Sequence, residues 1–149
     1  MTDISTLIDK IGKDFGESLK QSEDGQAIYV LKEDAIKLLK VLKNDFEFSM
    51  LSDITAAEYE DRLEIVYHLM AMKDAELLRI KVNTSKESPA VTSIIPIWKA
   101  ANVLEREIYD LMGVHFEGHG ELKRVLCPDD FVGHPLRKDF NVQHQVPRL

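Results

Sequence analysis

Charged and aromatic side chains that could form ion pairs or bind a partner are concentrated between residues 105 and 140. An apolar helical pattern is followed there directly by a dense mixture of charges, glycines and prolines. An ordinary helix end needs only one or two such residues, so this stretch is predicted to lie against another surface. The candidate partner-binding residues are Glu105, Arg106, Glu107, Asp110, His119, Arg124, Pro135, Arg137, Lys138, Asp139 and Phe140.

The helix predicted over residues 96–112 carries two glutamates close to its apolar side. At 100° per residue, Glu105 and Glu107 flank the apolar stripe, whereas Arg106 and Asp110 lie in the polar arc opposite. A carboxylate partly removed from water is costly unless it is paired, so we expect a cation beside each glutamate. Spacing leaves a solvated flank without a special partner equally open. The available cations are Arg79, Arg124, Arg137 and Lys138.

Residues 135–140, Pro-Leu-Arg-Lys-Asp-Phe, are a second candidate binding element. Proline keeps this stretch extended, so no helix or strand pairing is expected to satisfy its backbone. An extended chain with cations, an anion and an aromatic ring suits docking along a partner surface. The alternative is a solvated tail. We expect Arg137 to make few contacts within the chain and to pair with Glu105, Glu107 or a carboxylate of the partner.

Histidines in the last third of the chain suggest a different hypothesis, the metal site of a small hydrolase. The spacing of His115 and His119 would place both rings on one face of a helix, but glycines before, between and after them disfavour a helix. The His-x-Glu element at His115 also lacks the cysteine pair that accompanies it in zinc deaminases, because Cys127 stands alone. We therefore predict no catalytic, metal-binding or cofactor-binding residue and keep the metal-dependent hydrolase as a remote alternative. Its histidines would be His115, His119, His134 and His144.

Composition narrows the function classes further. The chain has 149 residues and a formal net charge of −7, and this acidic balance disfavours binding to nucleic acid, which requires a basic surface. A single cysteine, Cys127, excludes an intrachain disulfide and favours a reducing, cytosolic compartment. The apolar runs are shorter than the ~20 residues of a membrane span. We expect any association with a membrane to be indirect, through partners.

Hydrophobic periodicity predicts an α+β fold. We expect an antiparallel or mixed sheet of about four or five strands, packed with helices and followed by an extended C-terminal segment. Within a single domain, residues 1–113 are assigned to the core and residues 114–149 to the partner-binding segment. Helices are predicted over 4–15, 35–46 and 96–112, and strands over 26–31, 48–58, 62–72, 76–83 and 91–93.

Several charged blocks in a fixed order resemble the C, or 30 kDa, subunit family of NADH:quinone oxidoreductase (respiratory complex I). Relatives of that family occur in chloroplast-type NDH complexes and in energy-converting membrane-bound hydrogenases. The resemblance covers most of the chain, with two departures: Val103 stands where the family often has tryptophan, and Gly120 where proline is common. The blocks that carry it are Ala101-Asn102, Glu105-Arg106-Glu107, Asp110-Leu-Met-Gly113, Phe116-x-Gly118-His119, Leu122-Lys123-Arg124-x-Leu126 and Gly133-x-Pro135-Leu136-Arg137-Lys138-Asp139-Phe140.

The resemblance implies a structural subunit that binds no flavin, iron–sulfur cluster or quinone of its own. Family members pack against a large, hydrogenase-like subunit that forms the quinone site, and the small iron–sulfur subunit is the other expected partner. The complex, at the cytoplasmic side of the membrane, couples electron transfer to ion translocation and holds its iron–sulfur clusters and FMN elsewhere. The alternative within this resemblance is the equivalent subunit of a membrane-bound [NiFe] hydrogenase. On either branch the charges that hold the tail and the partner would be Glu105, Glu107, Asp110, Arg137, Lys138 and Asp139.

Overall fold

A computed structural model describes residues 3–142 and confirms the α+β class. No helix among these residues is long and apolar enough to cross a membrane. The described residues contain three α-helices and seven strands: α1 Ile4–Ile11, β1 Leu19–Gln21, β2 Ala27–Val30, α2 Ala35–Asp45, β3 Met50–Glu58, β4 Leu63–Ala71, β5 Glu76–Thr84, β6 Ala90–Thr92, α3 Ala101–Met112 and β7 His115–Glu117.

Five of the strands form one mixed sheet in the order β1-β2-β5-β4-β3. Strands β3, β4 and β5 are the predicted antiparallel meander, while β2 joins β5 in parallel, with Ile28 opposite Ile80. Strands β6 and β7 form a separate parallel pair. Because α3 is the connection between β6 and β7, the chain enters and leaves this helix from neighbouring positions.

The core lies on one face of the five-stranded sheet. Alternate residues of β4 and β5, such as Ile65, Tyr67 and Ile80, are buried in one cluster with side chains of all three helices. Leu38 of α2 and Ile108 of α3 belong to that cluster, so the helices cover the same face of the sheet. The alternation within each strand is what the period of two predicts for a sheet buried on one side.

Two strands and one helix boundary differ from the sequence prediction. Strands β1 and β7 have three residues each, which is too short for periodicity to reveal. Helix α3 begins at Ala101 rather than near Pro96, because the backbone over 94–100 is held in turns. In those turns the N–H groups of Ile97 and Trp98 both donate to the carbonyl oxygen of Ile94.

Two adjacent leucines of β5 test this burial pattern. Leu78 points into the core and is 4% exposed, whereas Leu77 is 63% exposed. We expect Leu78→Ala to lower the free energy of unfolding by about 2–5 kcal/mol, because it leaves a cavity. The matched change Leu77→Ala should cost less than about 0.5 kcal/mol. Urea denaturation of the two variants would measure the difference, and equal losses would contradict the assigned face.

Candidate partner-binding site

Helix α3 carries the predicted cluster of charges, and two of its carboxylates are fully buried. Ala101, Glu105, Ile108 and Met112 recur at helical spacing and share the face that packs on the core. Asp110 is also fully buried, although helical periodicity places it in the polar arc. That prediction is wrong because residues 122–142, the covering segment, return across this side of α3.

The carboxylate of Glu105 is held by polar groups of the β6–α3 connection. Oε1 accepts a hydrogen bond from the backbone N–H of Ile94 at 2.6 Å, and Oε2 accepts one from the Ser93 hydroxyl at 2.7 Å. His119 Nε2 lies 4.0 Å from Oε2. Burial raises the pKa of Glu105, and these hydrogen bonds offset the rise only in part. The expected arginine or lysine is therefore not the partner of Glu105.

The carboxylate of Asp110 anchors the covering segment to α3. Its Oδ2 accepts hydrogen bonds from three consecutive backbone N–H groups, those of Val125, Leu126 and Cys127, at 3.1, 2.7 and 2.8 Å. Its Oδ1 accepts one from Arg124 Nη1 at 2.8 Å. Burial alone would raise the pKa of Asp110, but these donors outweigh it and hold the pKa well below its usual value.

Arg124 links Asp110 to the next turn of the covering segment. Its Nη2 donates to the carbonyl oxygens of Phe131 and Gly133 at 3.0 and 2.8 Å, while its Nη1 also reaches the backbone carbonyl of Asp110 at 3.2 Å. Arg106 of α3 supports the same region, because its guanidinium donates to the carbonyls of Lys123 and Arg124. Both arginines thus bind this chain's own backbone.

The covering segment also satisfies the last carbonyls of α3, which have no partner within the helix. The backbone N–H of Leu136 donates to the carbonyl of Leu111 at 2.9 Å, and Arg137 Nη1 donates to that of Met112 at 3.2 Å. His134 Nδ1 lies 2.9 Å from the carbonyl of Asp110. Because a carbonyl can only accept, His134 carries its proton on Nδ1.

Arg137 pairs with Glu58, at the end of β3, rather than with Glu105 or Glu107. Its Nε donates to Oε1 of Glu58, and its Nη2 donates to the carbonyl of Lys86 at 2.9 Å. Burial would raise the pKa of Glu58, but the bond to Arg137 outweighs it and the pKa is lowered. The expectation of few intrachain contacts for Arg137 is therefore wrong. Helical spacing could not identify Glu58, because it lies on a strand 79 positions away.

The other predicted residues divide between buried and exposed positions. His119 is buried beside α3, where its Nδ1 accepts from the N–H of Glu121 and its Nε2 therefore donates to the carbonyl of Asn102 at 3.0 Å. Phe140 stacks on Phe131 with ring centroids 5.7 Å apart. Pro135 is half-buried.

Three predicted charges are not drawn into this network through their side chains. Lys138 and Asp139 are exposed, although the backbone N–H of Lys138 donates to Glu58 at 3.3 Å. Glu107 is half-buried, and among residues 3–142 no hydrogen bond or ion pair is seen for its carboxylate. A solvated flank, which spacing left open, describes Glu107 better than a buried ion pair.

The histidines do not assemble into a metal centre in the part of the chain that the structure describes. No three histidine, cysteine, aspartate or glutamate side chains there are placed to hold one ion. His115 is exposed, His119 faces Glu105 and Asn102, and His134 faces the end of α3. His144 lies outside the described residues. Burial, with a further contribution from Asp110, raises the pKa of the Cys127 thiol, which keeps it protonated and unreactive.

Replacing Asp110 with asparagine tests the anchor. Asp110→Asn keeps the shape but removes the charge that faces Arg124, and we expect the free energy of unfolding at pH 7 to fall by roughly 3 kcal/mol. Since the folded pKa lies below the unfolded value of about 3.9, the Asp110 contribution is present above that pH and disappears as the pH falls further. Urea denaturation between pH 7 and pH 3 should show the two proteins converging at the acid end.

Glu105→Gln is the control for that pH dependence. The raised pKa of Glu105 makes wild-type stability fall as the pH rises from about 4.3 towards the folded value. The variant lacks this group and should gain stability relative to wild type over that window, the opposite trend. A constant difference between wild type and Asp110→Asn at every pH would contradict the anchor.

Gly113 tests the contact between α3 and the covering segment. It ends α3 with φ +74°, and a Cβ there would meet a ring carbon of His134 at 2.7 Å. Gly113→Ala should lower the free energy of unfolding by roughly 2 kcal/mol or more, because it adds a clash to left-handed strain. Gly120→Ala is the matched control, with nothing within 4 Å of its Cβ position. Thermal denaturation would compare them, and a fully stable Gly113→Ala would refute the contact.

Comparison with known proteins places this geometry in a family. The family model described as "Respiratory-chain NADH dehydrogenase, 30 Kd subunit" matches residues 28–146. The C subunit of NADH-quinone oxidoreductase from Moorella thermoacetica is 47% identical over 127 residues, covering 84% of this chain and 86% of that one. The C/D subunit of NADH-quinone oxidoreductase from Bdellovibrio bacteriovorus is 41% identical over 121 residues, covering 79% of this chain and 21% of that one.

A solved structure shows the same fold at low sequence identity. It belongs to the membrane-bound sulfane sulfur reductase, an archaeal respiratory membrane complex, and has a TM-score of 0.79 at 22% identity. The likeness covers 95% of this chain and 87% of that one. Together with the matched residues 28–146, which include α3 and the covering segment, the relatives decide the assignment: the chain belongs to the 30 kDa subunit family of the respiratory-chain NADH dehydrogenase.

Proposed function

We propose that this chain is a structural subunit of a membrane-associated NADH:quinone oxidoreductase. The observation that carries the proposal is the family match over residues 28–146, together with relatives named as the C subunit of that oxidoreductase. These relatives, at 47% identity and below, favour the NADH:quinone branch over the hydrogenase branch. The chain attaches peripherally, at the cytoplasmic side, through other subunits, and supports electron transfer coupled to ion translocation.

The proposed partners are the large, hydrogenase-like subunit at the quinone site and the small iron–sulfur subunit. The relative named for both C and D supports a close neighbour, because a part like this chain makes up only 21% of it and shares one polypeptide with a second subunit. A permanent neighbour would make such a fusion tolerable. The charged motif supports a scaffold rather than a catalyst, since Asp110, Arg124 and Arg137 bind this chain's own groups.

Co-purification tests the proposal. An affinity tag on the chromosomal copy, followed by mild detergent extraction of membranes, should recover the large subunit, the small iron–sulfur subunit and NADH:quinone oxidoreductase activity. The separately expressed chain should be colourless and should carry no stoichiometric zinc, iron or nickel by elemental analysis. Recovery of the tagged chain without other subunits, or a stoichiometric metal on the chain alone, would overturn the scaffold role and favour the hydrolase.

A further inference from the structure

The covering segment presents apolar side chains to solvent while its polar groups face inward. Leu126, Val132 and Leu136 are 60%, 56% and 61% exposed. They lie close together, because Arg124 next to Val125 holds the carbonyls on both sides of Val132, and Leu136 is bonded to the end of α3. Exposed leucines and valines gathered on one short segment form the kind of surface that proteins use for association.

A groove with an acidic lining opens beside these apolar residues. It has a volume of about 670 Å³ and lies between the covering segment and the loops that carry Glu60 and Glu87. Asp139 adds a third exposed carboxylate to its lining. Its two cations, Lys86 and Arg137, both face Glu58. The groove therefore favours a positively charged group on whatever covers it.

Exposed charges around the covering segment have the same bias. Between residues 121 and 142 they are Glu121, Asp129, Asp130 and Asp139 against Lys123 and Lys138. A second copy of this chain would bring like charges together in a two-fold contact, which disfavours self-association through this surface. The complementary occupant is a different protein whose apolar surface is bordered by basic side chains.

We propose that Leu126, Val132, Leu136 and the acidic groove form the partner-facing surface, and that the charged motif around Arg124 and Arg137 fastens the chain to itself. This rests on the proposed function and names the partner's chemistry: an apolar patch with at least one lysine or arginine that enters the groove. Arg124 and Arg137 act as positioning residues, because their guanidiniums hold the covering segment in the shape that exposes the apolar side chains.

The test uses tagged full-length chains in native membranes. Leu126→Ser/Leu136→Ser should leave the melting temperature of the free chain unchanged but reduce the recovered complex by roughly tenfold, because central apolar contacts dominate interfaces. Leu77→Ser, which removes an equally exposed leucine from β5, is the matched control and should recover the complex normally. Glu60→Lys/Glu87→Lys should also reduce recovery, by reversing the charge of the groove.

The outcomes separate the surface from the proposed function. If the wild-type chain recovers no other subunit, the proposed function fails. If the wild type recovers the complex and Leu126→Ser/Leu136→Ser does so equally, the apolar surface is wrongly assigned, and the same holds if Leu77→Ser loses as much. Normal recovery by Glu60→Lys/Glu87→Lys would refute the basic partner. A free chain that is dimeric and becomes monomeric in the leucine variant, with complex recovery intact, would assign the surface to a second copy instead.

Discussion

One buried carboxylate, that of Asp110, determines how the last third of the described chain is arranged. Three successive backbone N–H groups and one guanidinium converge on it. A carboxylate removed from water must be matched by donors of this kind, since an unpaired one costs several kcal/mol. The donors all come from residues 124–127, so folding α3 into the core obliges the covering segment to return over it.

The same arrangement solves a second problem, the unsatisfied end of α3. The carbonyls of Asp110, Leu111 and Met112 receive donors from His134, Leu136 and Arg137. Two cations, Arg124 and Arg137, also lie near the negative end of the helix dipole, where positive charge is favourable. The motif that marks the family in sequence is thus largely consumed inside the subunit. What remains for a partner is the outer, apolar side of the covering segment.

Periodicity predicted most of the fold, because core residues repeat locally along the chain. Alternation in β4 and helical spacing in α2 place their elements within one or two residues. The same reasoning misplaced Asp110, because a helix face that is polar in sequence becomes buried when a distant segment covers it. Glu58 was missed for a related reason: its importance arises from Arg137, 79 residues later, and pairings of that range leave no local pattern. The site residues were found as a set, but their partners required the tertiary structure.

Native-state hydrogen exchange on the isolated, full-length chain tests the central claim most directly. If Asp110 anchors the covering segment within the subunit, the amides of Leu126 and Cys127 should exchange slowly without any partner, together with the amides of α3. Their protection should disappear in Asp110→Asn while the amides of β4 and β5 remain protected. Fast exchange of Leu126 and Cys127 in the wild-type chain, with α3 still protected, would contradict the account and show that the partner orders this segment.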